Sequence, residues 1–191
     1  MTKYKIIALV GEAGSGKDYA LRAILNKKNN YFNEIIHTTT RPKRENEKDG
    51  EAYHFIDVPT LQQMMNFDSL LTLSEYRCWY YAIQKASLKE DKINIGVFNL
   101  QEIEALQNNP EVELKIFYLA VRPKVRLMRQ LLREKKPNCQ EIVRRFAADE
   151  VEFANFDKQD WIVRLNENKF QLFFTVKTIC AIGRTWAKSI K

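Results

Sequence analysis

Three short stretches of the chain are almost continuously apolar: KIIALV (Lys5 to Val10), INIGVF (Ile93 to Phe98) and LKIFYLAV (Leu114 to Val121). A strand with one face in water alternates apolar and polar residues; these do not, so they read as strands buried on both faces of a parallel sheet. Between and after them apolar positions recur at the helical period over residues 18–27, 100–107, 125–135, 141–153 and about 169–188. Strand and helix alternate, which predicts an α/β domain with a parallel β-sheet core flanked by helices. The rhythm breaks between about residues 35 and 83. There HTTTRPKRENEKDGEAYHFI and LLTLSEYRCWYYAI, rich in threonine and aromatics, bracket a helix-like PTLQQMMNF, so a small antiparallel β insertion is expected. A second irregularity, REKKPNCQ (Arg133 to Gln140), joins two helices through Pro137 and carries charge, which predicts a helical lid over about 126–154. The remaining segments, 1–34, 84–125 and 155–191, make the core of a single domain.

The residues after the first strand carry the chemistry. GEAGSGKD, Gly11 to Asp18, has the G-x-x-x-x-G-K spacing of a phosphate-binding loop, comprising Gly11, Glu12, Ala13, Gly14, Ser15, Gly16 and Lys17. It follows a buried strand and opens a helix, so backbone N–H groups and the helix N-terminus converge on one point, as a pyrophosphate requires. Gly14 and Gly16 let the backbone take positive φ, and Lys17 is placed to reach the β and γ phosphates. Asp18 stands where a serine or threonine hydroxyl is usual. The helix dipole favours a carboxylate there by only about 0.3–1 kcal/mol. Repulsion from a phosphate about 4 Å away, at an effective dielectric near 20, is about 4 kcal/mol. A cation between the two removes the conflict, and Mg²⁺ is readily held by one or two carboxylates together with phosphates. Asp18 is therefore a candidate Mg²⁺ ligand; the alternative is that it points away and caps its own helix.

Composition narrows the setting. With 191 residues and 45% hydrophobic content the chain can bury a full core. Its three cysteines lack metal-ligand spacing, and the first apolar stretch is too short and wrongly flanked for a signal peptide, so a reduced, cytoplasmic protein is expected. FQLFFTVKTICAI is interrupted by Lys177 and falls short of a bilayer span, which argues against a membrane role. The net charge of +7 points to a polyanionic ligand, and charge alone does not separate nucleic acid from nucleotide phosphates.

Residues 38–55, TTTRPKRENEKDGEAYHF, decide between them. The segment resembles the acceptor-phosphate motif of guanylate kinases, T-T-R-x-x-R-x-x-E-x-x-G-x-x-Y-x-F. Every spacing is kept in Thr39, Thr40, Arg41, Arg44, Glu47, Gly50, Tyr53 and Phe55. The likeness continues more weakly through WYYAIQ and through the lid and its following helix, including Arg145. The resemblance implies a P-loop kinase fold and two phosphate sites. The loop with Lys17 would hold ATP and its Mg²⁺. Arg41 and Arg44, with the hydroxyls of Tyr53 and Tyr81, would clamp the acceptor monophosphate through guanidinium forks. Arg145, with Arg129 or Arg133 of the lid, would close over the transferring group, and Lys17, Arg41 and Arg145 would be the catalytic set. By the same likeness the base-reading positions fall on His37, Thr72 and Ile83, where the family has polar or acidic residues, with Glu75 three residues beyond Thr72. Asn99 falls where the family has an acidic residue near the metal.

The implied function is nucleoside monophosphate kinase activity, ATP to (d)GMP or another (d)NMP, in a monomer or homodimer. Two other classes compete. Guanylate kinase-like modules without catalysis bind phosphorylated peptides, but usually with degraded phosphate loops, whereas Gly11, Gly16 and Lys17 are intact. A nucleic-acid-dependent ATPase would use the positive charge but has no need of the Arg41, Arg44, Tyr53 spacing.

Overall fold

The computed structural model describes residues 4–27, 30–43, 47–51, 53–76, 78–133, 135–154, 156, 162–166 and 171–190, the backbone alone at 162–166 and 171–172. Nine strands and six helices are found among them. The main sheet contains β1 (Tyr4–Val10), β2 (Phe32–Glu34), β7 (Ile93–Val97), β8 (Val112–Ala120) and β9 (Ile162–Asn166) in the order β2-β7-β1-β8-β9. All four pairings are parallel.

The continuous apolar pattern of β1 has the predicted cause. Ile7 and Leu9 point to one face, where they pack with Ala20, Leu21 and Ile24 of α1 (Lys17–Leu25) and with Val176 and Ile179 of α6 (Gln171–Ala187). Ile6, Ala8 and Val10 point to the other, against Ile103 and Leu106 of α3 (Leu100–Gln107). Each strand residue thus has a helix over it, whichever way its side chain turns. Removing one such aliphatic side chain typically destabilises a domain by about 2–5 kcal/mol.

Residues between β2 and β7 form a second sheet, ordered β4-β3-β6-β5, from β3 (His37–Thr39), β4 (Tyr53–Phe55), β5 (Leu70–Tyr76) and β6 (Trp79–Gln84). The pairs β3–β6 and β5–β6 are antiparallel, as expected of the insertion. The pair β3–β4 is parallel. A parallel partner needs a crossover of about a dozen residues, and the arginine-bearing stretch between Thr39 and Tyr53 supplies it. Helix α2 (Val58–Asn66) follows β4, started by Asp57, whose carboxylate accepts from the Thr60 N–H at 2.9 Å.

The segment expected to form a lid contains two helices, α4 (Pro123–Leu132) and α5 (Cys139–Glu152). α4 begins earlier than its apolar period predicts because Pro123 fits the first helical turn, where no N–H partner is needed. α5 is capped by Asn138, whose side chain accepts from the Glu141 N–H. Among the described residues no helix is long and apolar enough to cross a membrane.

Candidate active site

The loop after β1 ends in Gly16, which is left-handed (φ 96°) and gives α1 no side-chain cap. The N–H groups of the first helical turn therefore face outward toward any anion at the helix start. Gly14 (φ 80°) lies so close to α4 that a Cβ would stand 2.6 Å from the Arg126 carbonyl oxygen. The outer side of the loop is tied to the same helix. Arg129 Nη1 donates to the carbonyls of Gly14 and Ser15 at 3.2 and 3.1 Å, and Gln130 Nε2 to that of Ala13 at 3.3 Å. The ammonium of Lys17 donates to Gly11 O and Glu12 O. Burial pushes its pKa below the usual lysine value against the opposing charges of Asp18, Asp149 and Glu12.

A cleft of about 600 Å³ opens over this loop. Gly11, Ala13 and Lys17 line one side; Arg41, Tyr53 and Tyr81 of the second sheet line the other; Arg145 and Asp149 reach in from α5. Arg41 is held by both oxygens of Glu47 and lies over the rings of Tyr53 and Phe55 at 5.3 and 5.4 Å. The motif's glutamate is thus the residue that aims its arginine. Arg145 is held from the other side by Glu141, which also takes Arg144. The two guanidinium groups, Arg144 first, hold the Glu141 carboxyl down at about 2. The Tyr53 hydroxyl is pushed well above its ordinary pKa by burial and then by the charge of Glu102, so it enters the cleft as a neutral donor.

Several expected site residues are placed elsewhere. Arg129 binds the loop's carbonyls from outside the cleft, so it acts on the loop and is not among the cleft's lining residues. Arg133 ends α4 in an exposed position. Thr72 and Ile83 face each other across β5–β6 and are buried, Ile83 within the core that also holds Phe98. His37 is buried too, with Nδ1 2.8 Å from Glu102 Oε1 and its ring edge-on to Phe98. Neither Thr72, Ile83 nor His37 lines the cleft. The acidic side chain that does so on this wall is Glu102. Asp18 is exposed on the first turn of α1. Arg44 lies outside the described residues, and Glu75 is exposed on β5.

Among the cleft residues that the sequence reading missed are Glu102, Asp149, Glu141 and Arg144. A signal for the first was present: Asn99 and Glu102 have the N-x-x-E spacing of a capping box. Both of its hydrogen bonds form, Asn99 Oδ1 accepting from the Glu102 N–H and Glu102 Oε2 from the Asn99 N–H. Asn99 is therefore engaged in starting α3. For Asp149 the only sequence signal is its position four residues after Arg145, on the same face of α5.

The guanylate kinase family model matches residues 3–175. The chain belongs to the guanylate kinase family. Its relatives include the guanylate kinase of Thermus thermophilus, 29% identical over 163 residues, which are 83% of this chain and 73% of that one. MAGUK p55 subfamily member 4 of Rattus norvegicus is 24% identical over 176 residues, 90% of this chain and 38% of that protein. Among solved structures, a guanylate kinase from Anaplasma phagocytophilum superposes with a TM-score of 0.66 at 13% identity, covering 98% of this chain and 88% of that one. That likeness carries the fold. Family membership carries the kinase and nucleotide-binding character.

Proposed function

We propose that the protein is a nucleoside monophosphate kinase that transfers the γ-phosphate of ATP to (d)GMP or another (d)NMP, acting in the cytoplasm as a monomer or homodimer. The observation that carries the reading is the shared cleft: Lys17 and the phosphate loop open on one side of it, Arg41, Tyr53 and Tyr81 on the other. Phosphoryl transfer needs little covalent help; positioning and neutralisation of charge do most of the work. In this reading Lys17 and the loop N–H groups hold the donor. Arg41, aimed by Glu47, and the neutral hydroxyl of Tyr53 hold the acceptor phosphate, with Arg44 completing the clamp. Arg145, released from Glu141, follows the charge that passes between the two sites. A moving α5 would also keep water from the transferring group.

Asp18 fits the Mg²⁺ that the family generally uses. Its exposed carboxylate follows Lys17 directly and acts electrostatically on both Lys17 and Tyr53, although Asp18 is not among the residues that line the cleft. Bound there with phosphate oxygens, Mg²⁺ would neutralise their charge and remove the repulsion that Asp18 otherwise exerts.

A second reading, a catalytically inactive module binding phosphorylated peptides or nucleotides, draws on the MAGUK relative and on the burial of Thr72 and Ile83. One assay separates the two. ADP release from Mg-ATP is followed with each ribo- and deoxyribonucleoside monophosphate in turn; stimulation by one or more supports the kinase, and stimulation by none supports the module.

A further inference from the structure

The phosphate loop's own N–H groups already have an anionic neighbour. Asp149 of α5 accepts a hydrogen bond from the Ala13 N–H through Oδ2 at 2.7 Å, and Asp149 is only 6% exposed. Ala13 is the third residue of the loop, and both residues line the cleft. To a backbone N–H, a carboxylate oxygen and a phosphate oxygen are the same kind of partner: a charged acceptor at short distance. Asp149 therefore occupies this loop N–H in the way a phosphate oxygen could. It also adds a negative charge beside Lys17, where Asp18 and Glu12 already act. A polyphosphate entering the loop meets that charge at close range, inside a site where burial weakens screening.

Asp149 and Arg145 are four residues apart on α5, so they share a helix face and move together. A single displacement of that helix takes a negative charge off the loop and repositions a positive one over the cleft.

We propose that Asp149 is a built-in competitor of the donor: its carboxylate holds the Ala13 N–H and is displaced by donor phosphates, which makes nucleotide entry and movement of the lid helix one event. This rests on the reading of the loop as the donor site. It makes donor affinity weaker than the loop alone would give, and it makes the lid's position depend on whether phosphates are bound.

The test is calorimetric titration of the full chain, without acceptor, using a non-hydrolysable Mg-ATP analogue and, separately, inorganic tripolyphosphate. Asp149→Asn keeps the shape and removes the charge, and is expected to bind both probes about tenfold tighter than wild type. Asp149→Glu, which keeps the charge, is expected not to tighten. Equal or weaker binding by Asp149→Asn at an unchanged Tm would overturn the proposal while leaving the donor-site reading intact. Absence of nucleotide binding in both wild type and Asp149→Asn would remove the donor-site reading and the proposal with it. Should Asp149→Asn fail to fold, carboxyl ¹³C spectra of the wild type decide: the Asp149 resonance is expected to move on saturation with tripolyphosphate, and an unmoved resonance at saturation overturns the displacement.

Discussion

Arg41 and Glu47 face each other through two N–H···O bonds, of 3.0 and 2.9 Å, across the start of the crossover that joins β3 to β4. The pair is mostly buried, with Arg41 at 11% and Glu47 at 19% side-chain exposure, so the geometry is held more firmly than in a surface ion pair. Glu47→Ala frees the guanidinium without removing it. Since hydrogen bonds to charged groups are worth about 1.5–3 kcal/mol, acceptor KM is expected to rise about tenfold or more while donor KM stays within twofold. Steady-state kinetics with each substrate varied in turn checks this; equal changes in both KM values would contradict the assignment of Arg41 to the acceptor.

Lys17 has a pKa lowered by burial, so its folded form binds the proton more weakly than the unfolded chain does. Where the unfolded state holds more protons, stability rises with pH. The strain of the buried charge is thus present at neutral pH and relieved as pH climbs from the lowered value toward 10.5. Lys17→Met is expected to abolish turnover yet to melt at an equal or higher temperature than wild type at pH 7, and this advantage is expected to vanish near pH 10.5. Thermal unfolding of both proteins at the two pH values provides the measurement. In the wild type the alkaline limb of kcat/KM is expected to fall at a pH below that of a free lysine.

Gly14 cannot carry a side chain without moving α4. Its φ of 80° disfavours any L residue, and a Cβ would sit 2.6 Å from the Arg126 carbonyl oxygen. Gly14→Ala is expected to destabilise the fold by about 1–3 kcal/mol through backbone strain, with more from the contact itself. Donor KM is expected to rise at least tenfold because the loop and α4 must separate. Urea unfolding and donor kinetics on the same preparation test both parts.

Glu102 does two jobs at the base of the cleft, pairing with buried His37 and closing the N-terminus of α3. Glu102→Ala leaves His37 buried without its partner and removes one side of the capping box. Leaving a buried hydrogen-bonding group without its partner is expected to destabilise by about 1–3 kcal/mol. Glu102→Gln, which retains acceptors for the backbone N–H, is expected to lose less than half of that. A pair of denaturant titrations distinguishes the two variants.

How far the fold was legible depends on how local its determinants are. β1, β7, β8 and α3 were readable to within a residue or two because double burial and helical periodicity write themselves into consecutive positions. The three-residue β2 and the parallel pairing of β3 with β4 were not. A strand that short has no period to read, and pairing direction depends on the length of a crossover whose path is set elsewhere. The phosphate loop and the spacing from Arg41 to Tyr53 were equally plain, since each is a chemical requirement met by neighbours in sequence.

What the chain's order of residues determined, then, was the set of parts: buried strands, amphipathic helices, a glycine loop with one lysine, and an arginine motif carrying its own orienting glutamate. Which of them meet was decided by tertiary packing. Asp149 reaches Ala13 across 136 residues, and His37 reaches Glu102 across 65. Thr72 and Ile83 turn into the core although their positions had pointed to the acceptor. A side chain's direction at an element's surface depends on the sheet or helix that covers it. That covering element lies far away in sequence, so no local pattern records it.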